Sequence, residues 1–344
     1  MSFTIPGTDH RIDLKRFTFD GPAIFGVSGG RTSALLLWLS LQAYGGKLPV
    51  DHVPLFCNTG DEMPETYAFV AACAKRWGVD IAWAERTKGG DFREVFPETA
   101  SRHGEPFAQL IDDRGGYLPH TGARFCTAEL KMGVTEDYAA TLGFEDWFNV
   151  VGLRADEPLR VAKKRAENNV REGLVERVAQ MALPGFPGKR RKVVVERPYI
   201  NAMPLYDAGI TKPVVAAFWA HMKATEGFDL GLEWWESNCR GCFLKGAAIR
   251  ERIERDHPGS LAWWVEQESR TGATFIKGRR YLSVVKAARR PGLVPDLAPE
   301  DAVLPCACTD RKTPRVKRCS CGARRGQAHK LSCVRFATWI DLSA

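Results

Sequence analysis

The sequence predicts an α/β protein built on a doubly wound, parallel sheet, and three observations carry this. Short apolar runs bounded by glycine or polar residues alternate with longer helical segments. The first run leads straight into a glycine-rich turn, SGGRTS at Ser28 to Ser33, and then into a helix. The second run ends in Asn58-Thr59-Gly60. Strands that alternate with helices in this way imply β-α-β crossovers and hence parallel pairing.

The elements follow in order. Ala23 to Val27 (AIFGV) reads as a buried strand flanked by glycine. Ala34 to Tyr44 (ALLLWLSLQAY) is apolar almost all round, like a buried helix, and Gly45-Gly46 stops it. His52 to Cys57 (HVPLFC) is a second strand. Pro64 suits the first turn of a helix running through Glu65 to Trp77. Asp80 to Ala84 (DIAWA) is a third strand. Thr87 to Gly122 is rich in Gly, Pro and charge, and reads as loops and short helices over a site. Phe148 to Leu153 (FNVVGL) is another strand. Lys163 to Lys192 is a basic insertion whose second half, LPGFPGKRRK, reads as a mobile loop. Ala216 to Lys223 and Ala247 to Arg255 read as helices, with Leu261 to Glu268 joining them. Pro291 to Pro305 holds four prolines and reads as a linker.

This gives three regions. Residues 1–230 form an α/β domain with a basic insertion over 159–195, residues 231–290 a helical region, and residues 291–344 a linker and a basic, Cys-rich tail. With 344 residues and 44% apolar residues, the chain can bury a substantial core, which excludes disorder of the whole.

Net charge is +8, and two segments carry it. Leu159 to Lys192 and Thr309 to Lys330 each hold a net +7, so the remainder is mildly acidic. Such segments either contact phosphates along a nucleic acid, tRNA or DNA, or are solvated loops. The N-terminus lacks an apolar signal core, and no run is long enough to span a bilayer, so a cytoplasmic protein away from membranes is expected. Ten cysteines in a reducing compartment point to metal or redox work rather than to disulfides.

In the SGGRTS turn, two glycines let the backbone approach a ligand closely. Consecutive N–H groups at a helix N-terminus then face anionic groups, and the helix dipole adds to this. Ser28, Thr32 and Ser33 contribute hydroxyls and Arg31 a cation. The turn is neither a Walker A loop nor a G-x-G-x-x-G turn.

SGGRTS resembles the SGGxxS loop of the PP-loop superfamily. Three later segments resemble that superfamily's phosphoadenosine phosphosulfate reductase branch, in the same order: FCNTGDEMPETYAFV (Phe56 to Val70), RFCTAELK (Arg124 to Lys131) and VVGLRADEPLR (Val151 to Arg160). GITKPVVAAFW and NCRGCFLKG are similar to bacterial and phage-borne members of the branch. The resemblance implies that ATP or an adenylyl sulfate is bound. Ser28, Gly29, Gly30, Arg31, Thr32 and Ser33 would cradle its phosphates. Asn58, Thr59, Gly60 and Asp61 would lie near the adenosine, at the end of the second strand. Lys131, Arg154 and Arg160 would face the anionic groups, and Asp156 and Glu157 would position Mg²⁺ or orient the arginines. ATP-cleaving members carry Lys-Asp inside the loop, where this sequence has Arg31-Thr32, which weakens the case for Mg²⁺-assisted cleavage.

Cys239-Arg-Gly-Cys242 is a CxxC, a spacing that lets two thiolates reach one metal. In iron–sulfur sulfonucleotide reductases an upstream Cys-Cys pair and a downstream CxxC hold a [4Fe–4S] cluster. Here Phe125 stands at one position of the pair, leaving Cys126, Cys239 and Cys242, with Cys306 or Cys308 as a fourth ligand. Zinc-binding or purely structural thiols are the alternatives. In the tail, Cys306, Cys308, Cys319, Cys321, His329 and Cys333 either form a small Zn²⁺ site or belong to a loose basic segment. Cys57 and Cys73 fall in strand and helix patterns and read as core. Trp234-Trp235 and Trp263-Trp264 either stack on bases or place one ring in the core and one at its edge.

Three functions are therefore in view. One is a nucleotide-dependent enzyme of sulfur transfer to a nucleic acid, served by a sulfur-donor protein. Another is a sulfonucleotide reductase, against which stands the lack of a match to the reductases' C-terminal Glu-Cys-Gly-Leu-His segment. The third is a non-catalytic nucleotide or iron–sulfur sensor. A homodimer is compatible with each.

Overall fold

The computed structural model describes residues 2–171, 178–182, 190–194, 198–236 and 239–289. A short antiparallel pair, β1 (Ser2–Thr4) and β2 (Arg11–Asp13), opens the chain. β3 (Ala23–Gly26), α1 (Arg31–Ala43), β4 (His52–Asn58), α2 (Pro64–Trp77) and β5 (Ala82–Arg86) follow. Next come β6 (Phe92–Val95) and α3 (Glu105–Asp113). The short α4 (Phe125–Thr127) runs through a π-helical turn, Ala128–Gly133, into α5 (Val134–Thr141). β7 (Trp147–Val150), α6 (Pro158–Arg171), β8 (Val178–Ala182), β9 (Arg190–Val194) and β10 (Tyr199–Ala202) come next. Five helices close the described chain: α7 (Pro204–Asp207), α8 (Lys212–Glu226), α9 (Ala247–Asp256), α10 (Ala262–Thr271) and α11 (Tyr281–Ala288).

The main sheet has six strands in the order β10-β7-β3-β4-β5-β6. Every neighbour is parallel except the edge pair β5–β6. From β3 the chain winds outward through β4 and β5, then returns and winds the other way through β7 and β10. The switch point therefore lies between β3 and β7, and ligands of such sheets bind beyond the carboxyl ends of the strands at that point.

Alternation along the strands covers both faces of the sheet. On one, Ala23, Phe25, Val27 and Phe56 join clusters with α1, α2 and α8 side chains such as Leu35, Leu39, Phe69 and Trp219. On the other, Ile24, Leu55 and Ala84 pack on Val134, Tyr138 and Ala139 of α5. α1 is buried along most of its length, as its apolar composition requires. A separate cluster holds Phe107, Leu110 and Leu130 against Phe243, Trp264, Phe275 and Tyr281, and Cys126 and Cys239 border it.

Several expectations are corrected. β6, an antiparallel edge strand, lies in the stretch expected to hold only loops and helices. β7 ends at Val150, short of Leu153, because Gly152 turns in against the start of α1, where a Cβ would meet Ser33 Cα at 3.4 Å. Of the segment LPGFPGKRRK expected as a loop, residues 183–189 lie outside the described residues, and its last three residues begin β9, which pairs antiparallel with β8 in a two-stranded sheet of its own. Trp264 is fully buried and Trp263 sits at the rim of the same cluster, as expected of such a pair, whereas Trp234 and Trp235 are both half-buried. No helix of the described residues is long and apolar enough to cross a membrane. Cys308 and the other tail residues named as zinc ligands lie outside the described residues.

Candidate functional site

The turn after β3 is built as its sequence requires. Gly29 has φ +72°, and a Cβ there would stand 2.2 Å from Thr66 Cγ2, so α2 packs directly on the backbone of the turn. Gly30 caps α1 without a side chain, leaving the first N–H groups of the helix to a ligand. Ser33 is buried and organises the turn from within: its Oγ accepts from Ser28 N at 3.0 Å, lies 3.0 Å from Ser28 Oγ and donates to Gly30 O at 3.0 Å.

Across the switch point, the segment after β7 meets this turn. Arg154 Nη1 donates to Thr32 Oγ1 at 3.3 Å. Its Nε donates to Asp156 Oδ1 at 3.0 Å, and its backbone N–H to Glu157 Oε2 at 3.0 Å. Glu157 is buried and also binds Arg160 Nη1. Asp156 and Glu157 thus act on the arginines, Asp156 on Arg154 and Glu157 on both Arg154 and Arg160, and Arg154 is the one that reaches the turn.

Arg31 faces elsewhere. Its guanidinium makes a fork with Asp229, Nε to Oδ1 at 2.6 Å and Nη2 to Oδ2 at 2.5 Å, and Nη1 donates to Leu232 O at 2.9 Å. Burial acts to raise the Asp229 carboxyl, but the hydrogen bonds and charge of Arg31 prevail and hold it below its ordinary value. The expectation that Arg31 serves the phosphates meets a side chain already engaged.

The residues after β4 divide by role. Asn58 is fully buried; its Nδ2 donates to Glu85 Oε1 at 2.6 Å and to Ser101 O at 2.8 Å, and its Oδ1 accepts from Gly60 N at 2.9 Å. It shapes the turn rather than facing solvent. Gly60, at φ +82°, lets Gly104 and Pro106 close over it, and Gly104 N donates to Gly60 O at 2.8 Å. Thr59 donates to Glu62 Oε1 at 2.7 Å and lies 3.6 Å from Cys239 Sγ. Asp61 is fully buried and accepts from Trp264 Nε1 at 2.8 Å and from Arg240 Nε at 3.2 Å, while its carbonyl accepts from Arg240 N at 2.9 Å. Burial pushes the Asp61 carboxyl up to about 7 in spite of Arg240 and Trp264. Arg240 lies inside the CxxC, so Asp61 pins the cysteine turn to the end of β4.

Around that turn the thiols share an electrostatic neighbourhood with two lysines. Burial raises the Cys126 and Cys239 thiols, with Cys242 and Glu62 respectively adding to the effect and Lys131 opposing it. Burial acts against the charge on Lys131, but Cys239, Glu62, Cys57 and Cys242 outweigh it and hold the ammonium above its ordinary value. Lys245 goes the other way, lowered by burial to about 8. Cys57 also belongs here: its Sγ lies 3.6 Å from Lys131 O and 3.4 Å from Thr135 Oγ1, and burial pushes the thiol up to about 11. Among the described residues no disulfide forms, and no group of three or more His, Cys, Asp or Glu side chains is arranged to hold a metal ion. Cys126, Cys239 and Cys242 are drawn into one electrostatic neighbourhood, and Asp156 and Glu157 are engaged with the arginines.

Sequence patterns alone did not reveal Asp229, Glu62, Glu85, Arg240 or Lys245, nor that Trp264 would meet Asp61. Only the spacing of Arg240 inside the CxxC offered a signal.

The phosphoadenosine phosphosulfate reductase domain matches residues 22–212, more than half of the chain. The chain belongs to that family. An uncharacterized nin region protein, ORF290 of Escherichia phage lambda, is 30% identical over 161 residues, which is 41% of this chain and 51% of the phage protein. The chain thus spans about half the length of that curated relative. Two solved structures are similar at low identity. The U34-tRNA thiolase NcsA from Methanococcus maripaludis with its [4Fe–4S] cluster has 13% identity, covers 79% of this chain and 85% of its own, and gives a TM-score of 0.37. The phosphoadenylyl-sulfate reductase from Candida auris, as a phosphate complex, has 14% identity, covers 65% and 88%, and gives a TM-score of 0.34.

Proposed function

We propose that this chain is an adenine-nucleotide-dependent enzyme of sulfur chemistry whose acceptor is a nucleic acid. The observation that carries the reading is the tie between the two halves of the site. The residues after β4, which flank the nucleotide crevice of the sheet, also hold the cysteine turn, Thr59 at 3.6 Å from Cys239 Sγ and Asp61 through Arg240.

The phosphates of ATP or an adenylyl sulfate lie against Ser28 to Ser33. Backbone N–H groups at the start of α1, with the Arg154 and Arg160 guanidiniums, meet charge that develops on them. The Lys131 ammonium offsets charge on a thiol, or on sulfur carried by one, among Cys126, Cys239 and Cys242. The reading needs the thiols; a [4Fe–4S] cluster would add sulfur binding at an open iron, and Mg²⁺ would add charge neutralisation at the phosphates. The acceptor side rests on the cationic run that follows the Arg154 segment: α6 carries Arg160, Lys163, Lys164 and Arg165, and β9 carries Arg190, Arg191 and Lys192.

The test is product analysis on the purified chain. ATP and inorganic sulfide with a mixed pool of tRNA should yield pyrophosphate, AMP and thiolated RNA only when the RNA is present; Ser33→Ala should abolish pyrophosphate release, and Cys239→Ser should abolish thiolation. Release of sulfite from an adenylyl sulfate and a dithiol reductant, with no RNA dependence, would instead assign reduction. Nucleotide binding with no product from either substrate would assign a non-catalytic sensor. Iron, sulfide and zinc analysis of protein purified without oxygen decides whether a metal accompanies the thiols.

A further inference from the structure

We infer that Tyr117 is a stacking platform for an unpaired base of a single-stranded RNA, set beside the thiol region. The inference rests on the nucleic-acid reading above and names the surface that would present the acceptor.

Tyr117 stands at the turn after α3, where Gly115 and Gly116 take φ of +63° and +82° and reverse the chain. The next residue, Leu118, is buried in the apolar cluster that Cys126 and Cys239 border, so the turn is anchored there. Tyr117 itself is 52% exposed. A lone exposed ring needs no explanation, but this one is assembled. It stacks on Phe125 with centroids 5.8 Å apart and planes at 23°. Phe125 in turn carries the Arg114 guanidinium 4.9 Å from its centroid. Phe125 is the residue before Cys126, so the stack is fixed to the short helix that holds this thiol.

The polar edge of the platform is also set. Gly122 N donates to His120 Nδ1 at 3.1 Å, so neutral His120 keeps its proton on Nε2 and donates to the Tyr117 oxygen at 2.8 Å. The Tyr117 hydroxyl proton is then left to donate outward, to a base carbonyl or a phosphate. The neighbouring carboxylates are neutralised in place: Glu129 by Arg114 and Arg86, Asp113 by Arg86, and Asp112 by Arg270. An exposed aromatic face with an outward donor, beside carboxylates that are already paired, is what an unstacked base requires. Bases within a duplex are already stacked, which points to an unpaired strand, and RNA is where such bases are offered in loops.

The test uses the full chain and a fluorescently labelled single-stranded RNA of mixed sequence, with anisotropy followed across a salt series. Tyr117→Ala should weaken RNA binding roughly tenfold at each salt concentration, because one base stack is lost, and leave the salt slope unchanged, because an uncharged side chain releases no counterions. Tyr117→Phe should stay within roughly threefold of the parent, since the ring remains. A 5-iodouracil RNA should photocrosslink to Tyr117. ATP binding by calorimetry should be unaltered in Tyr117→Ala and lost in Ser33→Ala, which separates failure of the platform from failure of the nucleotide reading. The inference is overturned if Tyr117→Ala binds RNA as the parent does, if the salt slope carries the whole loss, or if the crosslink maps elsewhere. Equal or tighter binding of a DNA strand of the same sequence would overturn the assignment to RNA.

Discussion

The phosphate turn and the cysteine turn are built by opposite means. The first is local: Ser28 to Ser33 shape themselves through hydrogen bonds spanning five residues or fewer, and the backbone presents the donors. The second is assembled from afar: Asp61 reaches Arg240 and Trp264, 179 and 203 residues later in the chain. The first leaves cations at an open edge, where Arg160 is 48% exposed. The second buries acid, thiols and lysines together, and shifts several of them strongly. A nucleotide that is bound and released needs little more than a preformed rim of donors. Acid, thiols and ammoniums that shift one another must share a buried surrounding, and only tertiary packing supplies one.

This contrast can be broken at several points. The largest effect is expected at Gly29. Gly29→Ala adds a Cβ on top of Thr66 in a left-handed conformation, and should cost about 2–4 kcal/mol of stability and abolish nucleotide binding, read by thermal unfolding and calorimetry.

At the other centre, the expectation is a pH dependence. The folded-state pKa of Asp61, at about 7, is above its ordinary value, so the folded chain holds a proton that the unfolded chain releases. Its contribution to stability is present below about pH 4 and lost as the pH rises through about 7. Asp61→Asn keeps an acceptor for Trp264 and removes the titration. Unfolding free energies measured across this window should therefore show the parent losing stability relative to the variant, and parallel curves would refute the burial argument.

A third comparison sets two arginines of the first centre against each other. Arg154→Ala should weaken nucleotide binding roughly tenfold, as befits a charged hydrogen-bonding group beside the phosphates. Arg31→Ala should weaken it less than about threefold yet destabilise the fold by about 1–2 kcal/mol, because Asp229 loses its partner while only 10% exposed. The reverse pattern would show that Arg31 leaves Asp229 when nucleotide binds. The smallest effect is kinetic: Cys57, raised to about 11, should alkylate with iodoacetamide at pH 8 far more slowly in the folded chain than after unfolding, as peptide mapping would reveal.

The same contrast explains what was legible in the sequence. Ser28 to Ser33, Pro64 and the buried α1 follow from spacing within a few residues, and the family motifs placed Arg154 and Glu157 together. The Arg31–Asp229 fork was not legible, because nothing local marks Asp229 as its partner 198 residues away. The π-helical turn that carries Lys131 has no turn residue to announce it other than Gly133 at its end. β6 escaped notice because an edge strand with two exposed charged positions, Arg93 and Glu94, lacks the apolar alternation of a half-buried one. Cys57 read as core from its strand pattern, but the opposite face of that strand's end meets Lys131 and Thr135.

The β8–β9 hairpin has an architectural consequence. Parallel pairing of β7 with β10 demands only a crossover, and α6 already supplies one. Among the described residues β8 and β9 pair with no strand of the six-stranded sheet. The ladder of the six-stranded sheet is complete without them, so a change in these two strands leaves every hydrogen-bonded pair of that ladder in place.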